Sequence, residues 1–270
     1  MNTRKLLTTV ALLLMIATGG QAQETVNWED SVKVYVGQAR EGKAEAYLKL
    51  ADCYHQGQGV KHSTMMMIIM LMYHCMWNDG WAEEENVALS QFAKFIQEQA
   101  FDDFMMKMPE DDADRLYLTF IKQFSSGRTD GLLGLARRIE AKDAPLGKIV
   151  NAVLASYYGE KELAERYFKE AAEVGSEYIK MDQLDKAVND SIASDSVLAL
   201  SLSLAKDLPF AYIAAAKIYS LRGQTEEEMD CYRKAGQWAC LSPKQARKLR
   251  QHYLQEAERL KRVYGIDSSR

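Results

Sequence analysis

The chain has 270 residues, a formal charge of −4 and only four prolines, and 47% of its residues are hydrophobic. A mildly acidic chain with no basic block excludes nucleic acid as an expected partner. Abundant Ala, Leu, Glu and Lys with little Pro or Gly point to an all-α protein.

In chain order, Arg4 and Lys5 precede an apolar run from Leu6 to Ala17. That run has the length of a signal-peptide core and falls short of the roughly 20 apolar residues needed to span a bilayer. Gly20 and Ala22 supply the small residues for a cut after Ala22. Residues 1–22 are therefore expected to be a cleaved signal peptide. The mature chain, 23–270, is expected to be exported, periplasmic or secreted, with no transmembrane segment.

Trp28 to Glu41 reads as an unpaired helix capping a stack of helix pairs. Gly42 to Val60 then places Leu50, Ala51 and Tyr54 at helical spacing and ends in the turn Gly57-Gln58-Gly59-Val60. A second helix carries Met65-Met66-Met67-Ile68-Ile69-Met70-Leu71-Met72. Residues 81–110 are the least regular part and read as two helices. Asp111 to Phe124 is amphipathic through Leu116, Phe120 and Ile121. Thr129-Asp130 is placed to cap a helix carrying Leu132, Leu135, Ala136 and Ile139. Helix pairs are expected to begin near Asp111, Ala144, Tyr178 and Pro209, at intervals of roughly 31–34 residues. Glu226-Glu227-Glu228 comes after Thr225 as a capped first turn. Ser242-Pro243 starts a final helix reaching about Val263, with Ser as cap and Pro in the first turn.

The residues Ala216, Tyr219, Tyr232 and Ala235 resemble the recurring small and aromatic positions of the tetratricopeptide repeat. Leu154, Ala155, Tyr158, Ala164, Phe168, Ala171, Ala172 and Gly175 form a similar unit with a shorter turn. Leu50, Ala51, Tyr54, Gly57, Gly59 and Val60 resemble the longer-looped Sel-one-like repeat. Its second helix departs from that family by holding methionines where alanines and aromatics are usual. The resemblance implies an all-α, right-handed α-solenoid of about six stacked antiparallel helix pairs. It would comprise a Sel-one-like unit with its cap over 28–80, irregular helices over 81–110, tetratricopeptide-like pairs over 111–241 and a capping helix over 242–263. Each pair has an apolar side that only a neighbour can bury.

The same resemblance implies a non-enzymatic interaction scaffold or adaptor for another exported or envelope protein or peptide, with no cofactor. In such stacks partners meet the first helix of each pair. The matching positions are Asp52, His55, Ser156, Lys217 and Ser220. Chemistry has little sequence support, because Gly-x-Ser-x-Gly, His-Glu-x-x-His and a phosphate loop are all missing. Runs such as Glu83-Glu84-Glu85 and Glu110-Asp111-Asp112 read as helix-start or solvated acids. An alternative is a copper or redox module on His55, Met66, Met70, Met72, His74 and Cys75, since thioether and thiolate ligands suit Cu(I). A third is the β-lactam-binding hydrolase reading linked to cysteine-rich Sel-one-like proteins, whose cysteine spacing this chain does not match. Helical rise keeps Cys53 and Cys75 apart, whereas Cys231 and Cys240 flank a turn near Gly236 and form the candidate disulfide.

Overall fold

The computed structural model describes residues 27–78 and 85–264, so the expected signal peptide and Glu83 and Glu84 lie outside the described residues. Among the described residues there are helices and no strands. They run α1 (Trp28–Arg40), α2 (Ala44–Gln56), α3 (Thr64–Asn78), α4 (Glu85–Phe95), α5 (Gln99–Met105), α6 (Ala113–Ser125) and α7 (Leu132–Lys142). They continue as α8 (Ala144–Tyr157), α9 (Lys161–Glu173), α10 (Glu177–Asn189), α11 (Asp195–Leu204), α12 (Ala211–Leu221), α13 (Thr225–Gly236) and α14 (Pro243–Tyr264). No helix among them is long and apolar enough to cross a membrane.

Helices α6, α8, α10 and α12 begin within two residues of the four expected pair starts. Local signals explain the boundaries. Asp112 accepts from the amides of Asp114 and Arg115 to open α6, and Asp143 caps Leu146 to open α8. Ser242 and Gln245 cap one another's amides at the start of α14, ahead of a proline in its first turn. Two expected caps are corrected. Gly131, at φ 82°, opens α7 in place of Thr129 or Asp130, because its left-handed backbone turns the chain there. Gln224 precedes α13, so Thr225 is already helical.

Consecutive helices pack on one another from α1 to α4 and from α6 to α14. At the crossing of α7 and α8 the approach is so close that a Cβ on Gly147 would lie 2.2 Å from Glu140 Cα. Gly147→Ala improves helix propensity by about 0.5–1 kcal/mol, but the overpacking costs about 1–3 kcal/mol. A net loss of stability is therefore expected in urea denaturation, and a gain would show that the two helices separate freely.

Among the described residues buried side chains form three clusters. One lies within α6–α8, around Leu116, Leu132, Ile139 and Leu154, and one within α10–α12, around Leu184, Leu204 and Ile218. The largest joins α1–α5 to Leu118 of α6, to α12 and α13, and to Ala239, Cys240 and Leu241 beyond them. The early and late helices therefore meet. Trp77 Nε1 donates to the Leu241 carbonyl at 3.4 Å, and Lys61 pairs with Asp207 at 3.2 Å. The α2–α3 turn is locked against the start of α1. A Cβ on Gly59, at φ 69°, would lie 2.5 Å from the Trp28 carbonyl oxygen.

The motif residues fall on both sides of this packing. Leu50, Ala51, Tyr54, Leu154, Ala155, Ala164, Ala171, Ala216, Tyr232 and Ala235 are buried. Phe168 is exposed within α9, and Tyr158 is exposed because it ends α8 instead of sitting inside it. The methionine helix is buried on nearly all sides. Met66, Met67, Met70 and Met76 are in the core, with Met65 and Met72 half-buried at its edge. An adaptable thioether fills the irregular space where α3 meets helices of both ends of the chain.

Candidate functional site

The α2–α3 turn meets the first turn of α6. His55 closes α2, His62 lies in the turn, Thr64 opens α3, and Asp114 sits in the first turn of α6. His55 Nδ1 is 2.8 Å and His62 Nε2 3.1 Å from the same oxygen, Asp114 Oδ2. Thr64 Oγ1 donates to Asp114 Oδ1. Asp112 Oδ1 approaches His55 Nδ1 at 3.9 Å while capping the Asp114 amide. The Asp114 side chain is 1% exposed, that of His55 11% and that of His62 53%.

Helix ends suit this arrangement. A carboxylate is favoured in the first turn of α6 and an imidazolium in the last turn of α2. Hydrogen bonding to Asp114 holds His55 above its ordinary pKa of 6.5, against the opposing effect of its burial. For Asp114, burial pushes the pKa upward. Hydrogen bonds from His55 and Thr64, with the charge and hydrogen bond of His62, outweigh it and keep the carboxyl below its ordinary 3.8.

His62 and Thr64 also line a cavity of about 210 Å³ closed by the starts of α8 and α10, including Asp143, Pro145, Ser176 and Tyr178. Ser176 Oγ and Tyr178 Oη are buried there without a hydrogen-bond partner among the described residues. Burial raises the Tyr178 phenol well above its ordinary pKa, and the nearby Tyr117 and the Asp114 carboxylate add to the shift.

A second concavity, of about 440 Å³, lies where the early and late helices meet. Tyr47, Trp77, Leu241, Ala246, Leu249 and Leu254 supply apolar lining, and Arg40, Arg233 and Arg250 are exposed at its edge. Among the described residues no acid lines it. Tyr47 and Trp77 stack with ring centres 6.4 Å apart. Arg233 is held by Asp230.

Of the expected partner-binding residues Asp52, His55, Ser156, Lys217 and Ser220, all on α2, α8 and α12, only His55 enters the histidine–aspartate cluster. Asp52 accepts from Gln56 at 2.9 Å, Ser156 and Ser220 are exposed, and Lys217 is half-buried. Among the described residues His55, His74 and Cys75 of the alternative copper set are not grouped. Met66 and Met70 are core residues, His74 Nδ1 meets the Ala44 carbonyl at 3.0 Å, and Cys75 donates to the Leu71 carbonyl at 3.3 Å. His55 faces Asp114 on the other side of the turn.

Cys231 and Cys240 are buried free thiols and do not form the candidate disulfide. Helix α13 continues through Gly236, which adds roughly 7.5 Å of rise between Cys231 and the turn. Burial pushes the Cys53 and Cys231 thiols up to about 11 and Cys240 higher still, so none supplies a thiolate near neutral pH. Asp114 was missed by sequence reasoning. In the run Asp111-Asp112-Ala113-Asp114 it reads as one more helix-start acid, and its partners lie 52 and 59 residues away.

The architecture is that of an all-helical protein of successively packed helices whose early and late members share a core. Compared with known proteins, the chain matches no family model, no curated protein and no solved structure.

Proposed function

We propose that this is an exported helical-repeat protein that recognises another exported or envelope protein without catalysing a reaction. Its helix pairs are read as units of a right-handed stack of the tetratricopeptide and Sel-one-like kind. Pair starts near Asp111, Ala144, Tyr178 and Pro209 support that reading, as do buried alanines at the motif positions of α2, α9, α12 and α13.

The observation that carries the function is the groove between the early and late helices. Its half-buried Trp77, backed by the buried Tyr47, its aliphatic lining and the arginines at its edge complement an apolar peptide segment bearing carboxylates. Aromatic and arginine residues are the types that most often anchor binding. Arg40 and Arg250 are exposed, so reversing their charge leaves the core intact.

The test is fluorescence anisotropy with short peptides of matched apolar content, one acidic and one basic. Binding of the acidic peptide alone is expected. The double variant Arg40→Glu with Arg250→Glu should weaken it at least about tenfold, mainly through slower association and with reduced salt dependence. Equal binding of both peptides, or no effect of the double variant, would remove this reading.

A further inference from the structure

We propose that His55 Nδ1, His62 Nε2 and Asp114 Oδ2 form a three-ligand zinc site whose fourth position opens on the adjoining cavity. The site is independent of the arginine-edged groove. The three ligand atoms already lie within 4.8 Å of one another. Zinc bonds of 2.0–2.2 Å to nitrogen and oxygen place tetrahedral ligands about 3.3 Å apart. The observed separations from the carboxylate, 2.8 and 3.1 Å, need only a small outward shift. His62 supplies the remaining adjustment, since it sits half-exposed in the α2–α3 turn.

The surroundings are those that hold a ligating carboxylate in place. Thr64 occupies Asp114 Oδ1 and leaves Oδ2 to face both imidazoles. Asp112 ties down the Asp114 amide at 2.9 Å. Such supporting hydrogen bonds orient metal ligands and tune them.

Two imidazoles and one carboxylate make a nitrogen and oxygen donor set without sulfur, which suits zinc and not Cu(I). Three protein ligands with a fourth position open is the arrangement of zinc sites that carry an exchangeable ligand. The cavity has room for one. Ser176 Oγ and Tyr178 Oη, buried and without hydrogen-bond partners among the described residues, are available there to hydrogen-bond a water or oxyanion on the metal.

The protein, stripped of metal with a chelator and dialysed, is titrated with zinc chloride in competition with a chromophoric chelator. One equivalent per chain is expected to bind with a sub-micromolar Kd. Co2+ in its place should show the intense d–d bands of a tetrahedral ion without a thiolate charge-transfer band. His62→Ala removes a half-exposed side chain, so its thermal transition should persist while zinc affinity falls at least 100-fold. That exceeds the roughly 10–100-fold cost of losing a supporting hydrogen bond. Absence of stoichiometric zinc binding, binding undiminished in folded His62→Ala, or a Co2+ thiolate band would each overturn the site.

Discussion

Asp114→Ala is expected to destabilise the fold by about 3–5 kcal/mol, the usual cost of breaking a buried ion pair by removing one partner. The carboxylate is 1% exposed and serves His55, His62 and Thr64 together. Its removal leaves the mostly buried His55 imidazole and the buried Thr64 hydroxyl without their acceptor. Asp114→Asn keeps the shape and some hydrogen bonding, so its loss should be smaller. Urea denaturation at pH 5.5 in the presence of chelator measures both. A loss under about 1 kcal/mol for the alanine variant would show that the cluster contributes little to folding.

The pH dependence of that loss is set by the two shifted groups. His55 is raised in the folded state, so its contribution is complete below about pH 6.5 and is lost as pH rises through its folded value. Asp114 is lowered, so its contribution is complete above about pH 3.8 and is lost as pH falls through its folded value. The difference in stability between the native chain and Asp114→Ala should therefore be greatest between about pH 4 and 6.5. It should shrink on the alkaline side as His55 deprotonates. A difference that grew steadily from pH 6 to 9 would contradict a charged His55–Asp114 pair.

Met70→Ala should cost about 2–5 kcal/mol, whereas Met70→Leu should cost under about 1.5 kcal/mol. Met70 is fully buried on α3, in the cluster that joins the early helices to α12 and α13. A metal ligand would lose its donor in both variants, so the two would be comparably affected. Leucine cannot replace a thioether donor, yet it fills nearly the same volume. Paired denaturation curves distinguish the two roles, and a leucine variant as unstable as the alanine variant would mean that the sulfur matters for itself. Because α3 touches both ends of the chain, the alanine variant should also loosen the Trp77–Leu241 contact, readable as a change in tryptophan fluorescence.

Much of the helical order was legible because it is local. Asp112 and the Ser242-Pro243 pair act within a single turn, so their side chains mark helix starts wherever the chain goes. The exceptions are also local. Gly131 overrode Thr129-Asp130 because backbone conformation there outweighed side-chain capping.

The candidate site was legible only in part. His55 stood out at the end of a motif helix, but the sequence associated it with sulfur ligands on α3. Met66, Met70, His74 and Cys75 lie on the buried part of α3, whereas His55 and His62 border the turn. Neither periodicity nor capping carries information about a carboxylate on a helix that arrives more than fifty residues later.

By itself the amino-acid sequence determined the all-helical class and where α6, α8, α10 and α12 begin. Helical periodicity, alanine spacing and caps act over a few residues and need no partner elsewhere. Tertiary packing alone decided that the early and late helices share one core, that most methionines of α3 are internal, and that His55 and His62 converge on Asp114. Those outcomes depend on which groups fit together where distant segments meet, as Gly147 against Glu140 and Gly59 against Trp28 show.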